Sequence, residues 1–209
     1  MISRDRKLIF IHIPKCGGTS LENLIWPKRH GRTEADLWMG VKYPFWRPIR
    51  NKYQTGGLQH LTASQVRQEV GAEMFDACFR FAITRDPLKR LISQYKYMSM
   101  RDDLRRYIRM SPADDFSTYL DKIERRLHVQ WMPQHEFLLD EKGNLLVQGV
   151  YRLEDISDDM RDLSSRIGLD VEKLPVTNTT HHIPSPAVTE ADRSRVRRIY
   201  AKDYELLGY

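Results

Sequence analysis

Residues 8–20 decide the fold of this chain, and they read Leu-Ile-Phe-Ile-His-Ile-Pro-Lys-Cys-Gly-Gly-Thr-Ser. Leu8 to Ile13 form a nearly all-apolar run, which is typical of a short strand covered on both faces of a sheet. Pro14 to Gly18 interrupt that run, and helical spacing after a hydroxyl-rich start predicts a helix from Thr19 to Trp26. The segment is therefore a strand, a glycine-containing turn and a helix.

The turn has the composition of a phosphate cradle. Adjacent Gly17 and Gly18 allow backbone N–H groups to face an anion, and the helix N-terminus adds its positive end. Lys15 supplies a full charge, and Thr19 and Ser20 supply hydroxyl donors. The order is not that of a Walker A loop, in which lysine follows the glycines. The alternative is a glycine-rich turn with a solvated lysine.

A second polar segment follows a second predicted strand, Cys78 to Thr84. Arg85 comes directly after this strand, and Ser93 lies two helical turns farther on. Ligands of parallel sheets bind at the carboxyl ends of the strands, and both segments are expected there. An arginine fork pairs well with phosphate oxygens, so Arg85 and Ser93 could hold a second anionic group. The alternative is a surface pair of Arg85 with Asp86 and no role for Ser93.

The remaining chain alternates between strand and helix patterns, which predicts an α/β domain of three layers with a mainly parallel central sheet. No internal repeat is apparent, and a single domain over residues 1–209 is expected. The further predicted elements are a capped helix from Thr62 to Val70, a helix from Leu88 to about Met110, a shorter helix after Asp115 reaching Leu127, a strand from Leu145 to Tyr151, a helix from Asp155 to Ile167 ended by Gly168, and a last helix opened by Thr189 to Asp192.

Composition limits the function only weakly. The 209 residues weigh 24.7 kDa and carry a formal net charge of +6, which suggests an anionic partner without identifying it. Two cysteines cannot build a disulfide framework or a four-thiolate zinc site, so a reduced protein is expected. No signal peptide or membrane-spanning run is present in the sequence. We therefore expect a soluble, cytoplasmic protein, unless an anchor lies outside the given residues.

Together the two polar segments resemble the sulfotransferase superfamily. Residues 9–26, IFIHIPKCGGTSLENLIW, look like the 5′-phosphosulfate loop of carbohydrate sulfotransferases, particularly the heparan sulfate 2-O-sulfotransferase-like branch with its bacterial relatives. Residues 81–97, FAITRDPLKRLISQYKY, look like the 3′-phosphate element of that family. Weaker likenesses occur in residues 128–137 (HVQWMPQHEF), 151–154 (YRLE) and 200–209 (YAKDYELLGY).

This resemblance implies a P-loop-like fold and a donor, 3′-phosphoadenosine 5′-phosphosulfate (PAPS), with 3′-phosphoadenosine 5′-phosphate (PAP) as product. Lys15 would act as an electrostatic catalyst by stabilising charge on the departing phosphate. The 5′-phosphate would lie against residues 15–20, and Arg85 with Ser93 would hold the 3′-phosphate. No metal is expected, because no apolar strand ends in the aspartate that P-loop kinases use for Mg²⁺. The expected cradle residues are Lys15, Cys16, Gly17, Gly18, Thr19 and Ser20.

An acceptor hydroxyl needs a base that works near neutral pH, and histidine is the usual choice. His60 resembles the position at which the 2-O-sulfotransferase branch carries its catalytic histidine. A glutamate base is the competing possibility. His12 falls within a buried strand and is expected to be structural. The candidates in the sequence are His12, His30, His60, His128, His135, His181 and His182.

Other segments have weaker functional interpretations. Residues 27–58 are predicted to be a long loop beside the acceptor, with Trp38, Trp46 and Arg47 as sugar or acid contacts. Residues 178–182 could form a late loop that reaches the nucleotide or the acceptor, and a metal at His181 and His182 is disfavoured. Cys16 is expected to pack in the loop rather than act as a nucleophile. The basic run 193–198 is expected to be a solvated helix face, and the alternative is that it attracts an anionic acceptor such as a uronate-bearing glycan.

The leading hypothesis is a PAPS-dependent sulfotransferase that acts on a carbohydrate or small metabolite. An atypical P-loop kinase using ATP and a basic nucleic-acid-binding module are the alternatives. The kinase alternative is disfavoured because the lysine precedes the glycines here, whereas a Walker A loop has it after them. The nucleic-acid alternative is disfavoured because the sequence lacks clustered basic residues interleaved with aromatics. The expected partner is thus a small-molecule or glycan acceptor, with no nucleic acid. The short chain suggests either a compact acceptor site or one completed in a homo-oligomer.

Overall fold

The computed structural model describes residues 1–26, 36–37, 58–170 and 182–209. Most of the predicted loop 27–58, including Trp38, Trp46 and Arg47, lies outside the described residues. The same is true of residues 178–181 in the predicted late loop.

A four-stranded sheet forms the centre of the protein. In chain order its strands are β1 (Ile2–Ser3), β2 (Leu8–Ile11), β3 (Phe79–Thr84) and β4 (Gly149–Arg152). This is also their order in the sheet, with β1 antiparallel to β2 and the other neighbours parallel. The prediction of a mainly parallel sheet is confirmed.

Helices connect and cover the strands. The described part of the chain contains ten α-helices: α1 (Gly18–Ile25), α2 (Ala63–Val70), α3 (Ala72–Asp76), α4 (Pro87–Met98), α5 (Asp102–Ile108), α6 (Phe116–Glu124), α7 (His135–Leu138), α8 (Ile156–Ile167), α9 (Glu190–Ile199) and α10 (Ala201–Leu207). A 3-10 turn at Leu58–His60 precedes α2.

Several predicted boundaries are confirmed because they depend on local signals. Thr62 accepts a hydrogen bond from the Gln65 amide and opens α2 with a full capping box. Pro87 begins α4, and Gly168 ends α8 in the left-handed conformation. Thr189 and Asp192 form the capping box of α9.

Other predictions were wrong in extent. The predicted helix Leu88 to Met110 is two helices, because α4 ends at Met98 and the Ser99 hydroxyl bonds the Lys96 carbonyl. Asp102 then opens α5, where an acidic side chain favours the positive helix end. Only the end of the predicted strand 145–151 joins the sheet; Leu145 instead bridges Leu139.

Two apolar clusters hold the structure together. All four residues of β2 are buried, so both faces of the sheet are covered. The larger cluster joins the strands to α1, α2 and α8, and the second joins α4, α5, α6 and α9. Because Ile11 pairs with Ala82 and Thr84 pairs with Arg152, the strands end near one edge. Residues 12–18, 85–86 and 153–154 follow these ends.

Candidate active site

The glycine turn has an unusual backbone. Lys15 has φ +66° and Gly17 has φ +78°, so two residues of the turn are left-handed. Gly17 suits this conformation because it has no Cβ, and a Cβ there would lie 2.7 Å from Leu153 Cδ1. Helix α1 begins immediately afterwards, with Thr19 exposed and Ser20 buried. Its N-terminus therefore opens at the turn, as an anion cradle requires.

Gly18 is required for a different reason, namely space. A Cβ at Gly18 would lie 2.2 Å from Cδ2 and Nε2 of His12. The His12 ring is buried, and its Nδ1 lies 2.6 Å from Oε1 of Glu22 on α1. The His12 imidazole thus fills the space beneath the turn, and its burial agrees with the expected structural role.

Lys15 is not a freely solvated lysine. Its Nζ lies 4.0 Å from the centroid of the Tyr97 ring on α4, which is a cation–π contact. Arg101 contacts the same ring and donates to the Tyr97 hydroxyl at 2.9 Å. Burial, followed by repulsion from Arg85, lowers the pKa of Lys15 to about 8. The ammonium group therefore lies in a positive, partly desolvated environment.

Arg85 turns toward the glycine turn and away from Asp86. Its Nη1 donates to the Lys15 carbonyl at 3.2 Å, and its buried Nε has no hydrogen-bond partner among the described residues. Asp86 instead caps α4 by accepting from the Lys89 amide at 2.8 Å. The alternative of an Arg85–Asp86 surface pair is therefore wrong. Arg85 and the Lys15 backbone meet at the strand ends.

One face of α4 lies against the turn. The buried Arg90 guanidinium donates to the Pro14 carbonyl at 3.0 Å, and Tyr97 contacts Lys15. Ser93 lies three residues after Arg90 and four before Tyr97, and residues at these spacings share a helix face. The partly buried Ser93 is therefore on the face of α4 that faces residues 14 and 15.

His60 lies against the end of β2. Its Nδ1 is 3.0 Å from the His12 carbonyl oxygen, and the two imidazole centroids are 4.6 Å apart. Since a carbonyl only accepts, Nδ1 carries the proton, and the neutral ring has its lone pair on Nε2. Burial and the neighbouring His12 hold the pKa of His60 well below its ordinary value. The Gln59 amide nitrogen is 3.3 Å from Nε2.

The other candidate residues have structural surroundings that do not point to a role in catalysis. Cys16 is buried, and burial raises the pKa of its thiol to about 12, which fits packing and not nucleophilic chemistry. His128 lies against the Trp131 ring, His135 is 2.6 Å from an Asp203 oxygen, and His182 is exposed. His30 and His181 lie outside the described residues.

The described residues add two further observations. They contain no group of three or more histidine, cysteine or acidic side chains that could hold a metal ion. Nor does any helix among them have the length and apolar character needed to cross a bilayer.

In the basic run on α9, Arg195 pairs with Asp121 and Glu124 of α6. Arg195 is therefore half-buried against α6 and does not belong to a solvated face, whereas Arg193, Arg197 and Arg198 are exposed as expected.

Sequence reasoning missed three side chains of the site. The Gln134 side chain is fully buried and accepts hydrogen bonds from the Cys16 thiol and the Arg85 backbone amide. The Asp203 carboxylate accepts from the backbone amide of Gln134. Their segments, residues 128–137 and 200–209, carry only weak likenesses to the family. Tyr97 could have been found, because it lies one helical turn beyond Ser93.

The comparisons with known proteins agree with this geometry. The model of the Sulfotransferase family matches residues 1–209, which is the whole chain. No curated protein and no solved structure matches significantly. The P-loop-like α/β fold of that family fits the mainly parallel sheet described above. The full-length match, with a lysine-bearing glycine turn and an arginine at neighbouring strand ends, shows that the chain belongs to the Sulfotransferase family.

Proposed function

We propose that the protein transfers the sulfuryl group of PAPS to a hydroxyl of a carbohydrate or small metabolite by in-line displacement. The family establishes sulfuryl transfer in general. The observation that carries the finer proposal is the meeting of Lys15 and Arg85 at the strand ends. Arg85 disfavours the charged form of Lys15, and a bound anion would offset this repulsion. A nucleotide with phosphates at two positions would supply such an anion.

The proposed nucleotide contacts follow the two segments. Lys15 and the turn around Gly17 would hold the 5′-phosphate, with the α1 N-terminus contributing its dipole. The orphaned Nε of Arg85 would donate to the 3′-phosphate, with Ser93 beside it on α4. An unpartnered buried donor is costly, so this atom supports the fit of an anion. The remaining proposed contacts are Cys16, Gly18, Thr19 and Ser20.

When bound, the donor supplies the reactive sulfuryl group. Lys15 would stabilise negative charge on the departing phosphate oxygen, which is the electrostatic contribution expected of a preorganised cation. His60 would accept the acceptor proton at Nε2. One feature supports that role: Nδ1 is engaged by the His12 carbonyl, which leaves the lone pair on Nε2 as the proton acceptor.

We propose a single domain over residues 1–209 that works in the cytoplasm without nucleic acid or metal. The acceptor site would be compact or completed by a second copy of the chain. A glycan or small hydroxylated metabolite is proposed from the sequence likeness to carbohydrate sulfotransferases.

Equilibrium binding tests the proposal against its alternatives. Affinities for PAP, ATP with Mg²⁺ and a single-stranded oligonucleotide are measured by calorimetry. We expect PAP to bind at least about tenfold more tightly than ATP, since only PAP carries a 3′-phosphate. Tighter ATP binding would favour the kinase alternative, and salt-sensitive oligonucleotide binding would favour the nucleic-acid alternative.

A matched set of variants separates local contacts from net charge. Lys15→Ala and Arg85→Ala each remove one cation of the site, whereas Lys142→Ala removes a cation from an exposed turn. We expect the first two to weaken PAP binding by about 10- to 100-fold and the control to leave it unchanged. Equal losses in all three would show that only net charge matters. Radiolabelled PAPS with a panel of glycans and small alcohols then tests transfer itself.

A further inference from the structure

We propose that Gln134 is a positioning residue that sets the spacing between the two anion sites. The inference rests on the proposed two-phosphate nucleotide and adds a residue that touches neither phosphate. Gln134 precedes α7 and lies 118 residues after Cys16 in the chain. Its side chain is fully buried between the glycine turn and the tip of β3.

The Gln134 side-chain amide bonds both sites at once. Its Oε1 accepts from the Arg85 backbone amide at 2.9 Å and from the Cys16 thiol at 3.3 Å. Its Nε2 donates to the Arg85 carbonyl at 2.7 Å. Arg85 is thereby held on both sides of its backbone, as a neighbouring strand would hold it. The same oxygen fixes Cys16, which lies between Lys15 and Gly17.

The chemistry of each partner fixes the orientation of the amide. The Arg85 carbonyl can only accept, so the nitrogen of Gln134 must face it. The Cys16 thiol keeps its proton at neutral pH because burial raises its pKa, and it can therefore donate to Oε1. No apolar side chain of similar size could satisfy these groups. Their burial makes each lost contact costly.

Asp203 on α10 holds the backbone of Gln134 in turn. Its fully buried carboxylate accepts from the Gln134 amide at 2.7 Å and from the His135 amide at 2.9 Å. The same carboxylate lies 2.6 Å from His135 Nδ1. Gln134 is thus anchored to α10 on one side and to both anion sites on the other. A displacement of Gln134 would change the separation of those sites.

Ligands that occupy both sites depend on that separation, and ligands that occupy one do not. PAP engages both sites, so its affinity includes the benefit of linking two contacts in one molecule. Adenosine 5′-monophosphate and adenosine 3′-monophosphate each engage one site. Loosening the spacing should therefore reduce PAP affinity selectively. A residue that only stabilised the fold would not distinguish these ligands.

The test measures the affinities of all three nucleotides for the unsubstituted protein and its Gln134→Met variant. Methionine has a similar shape but can make none of the three side-chain hydrogen bonds of Gln134. We expect PAP affinity to fall by about 10- to 100-fold and each monophosphate affinity to change by less than about threefold. Gln94→Met is the control, because Gln94 is also fully buried but its amide nitrogen contacts the Met98 sulfur. The control should keep the preference for PAP.

A second variant covers the outcome in which Gln134→Met does not fold. Gln134→Glu keeps an acceptor oxygen for Arg85 and Cys16 but turns its second oxygen, which cannot donate when ionised, toward the Arg85 carbonyl, so we expect a loss of PAP preference in this variant as well. Equal weakening of all three nucleotides, or an unchanged PAP preference in the variants, would overturn the inference. If the unsubstituted protein itself shows no PAP preference, the proposed function fails first.

Discussion

The Lys15 ammonium group lies over the Tyr97 ring, with 4.0 Å between Nζ and the ring centroid. The contact joins the glycine turn to α4 through the one side chain expected to reach the departing phosphate. It also places the charge where burial and Arg85 lower the pKa of Lys15 to about 8. The protein therefore holds this cation in a state that an anionic ligand would relieve.

Nucleotide binding should take up a proton above pH 8. In the free protein Lys15 loses its proton as the pH rises through about 8, and a bound anion raises its pKa again. The contribution of Lys15 to PAP affinity should consequently be complete well below pH 8 and be lost as the pH rises through 8 toward 9.5. Calorimetry in buffers of different ionisation enthalpy measures the uptake, expected to approach one proton per PAP. Lys15→Arg stays charged and should abolish the uptake; equal uptake in that variant would assign the proton elsewhere.

His60 should contribute to turnover and not to nucleotide affinity. Without a base at Nε2, kcat for PAPS with an acceptor that the protein sulfates should fall by about 10²- to 10⁴-fold. His60→Asn tests this, because its amide can still donate to the His12 carbonyl while no base remains. PAP affinity should change by less than about threefold. If kcat is unchanged, another group is the base.

Gly18→Ala should destabilise the protein through a clash with His12. The new methyl group would lie 2.2 Å from the imidazole, whose position is fixed by Glu22. We expect a loss of about 1–3 kcal/mol in the free energy of unfolding, measured with denaturant. His12→Ala removes the buried partner of Glu22 and has a cost of its own, but in that background Gly18→Ala should cost less than in the unsubstituted protein, because the clashing ring is gone. Simple additivity of the two changes would contradict the contact.

Arg90→Met should be among the most destabilising changes in α4. The guanidinium is almost fully buried and donates to the carbonyls of Pro14 and Met132 at 3.0 and 2.8 Å. Their loss leaves buried acceptors unpaired, and we expect a cost of about 3 kcal/mol or more in unfolding free energy. The neighbouring Lys89→Met changes an exposed side chain and should cost less than about 0.5 kcal/mol. Similar values for both would show that Arg90 is replaceable.

The features that sequence predicted are those with local causes. The capping box at Thr62, the proline at the start of α4 and Gly168 at the end of α8 each act within a few residues. The two segments with Lys15 and Arg85 were also found, because strand ends of a parallel sheet meet at one edge.

What sequence missed depends on contacts between distant residues. Gln134 is hydrogen-bonded to Asp203, which lies 69 residues later in the chain, and no local sequence pattern predicts such a pair. Strand β1 has only two residues and pairs with β2 through a tight turn. The break between α4 and α5 depends on a serine side chain bonding the preceding turn, which periodicity does not reveal.

The central claim is that Arg85 recognises the 3′-phosphate of a nucleotide whose 5′-phosphate lies at Lys15. It is tested most directly by the affinities of PAP and adenosine 5′-monophosphate for the unsubstituted protein and for Arg85→Ala. We predict that removing the 3′-phosphate, removing the guanidinium, or removing both weakens binding by the same factor, about 10- to 100-fold. If Arg85→Ala weakens both nucleotides equally, Arg85 does not read the 3′-phosphate and the account is contradicted.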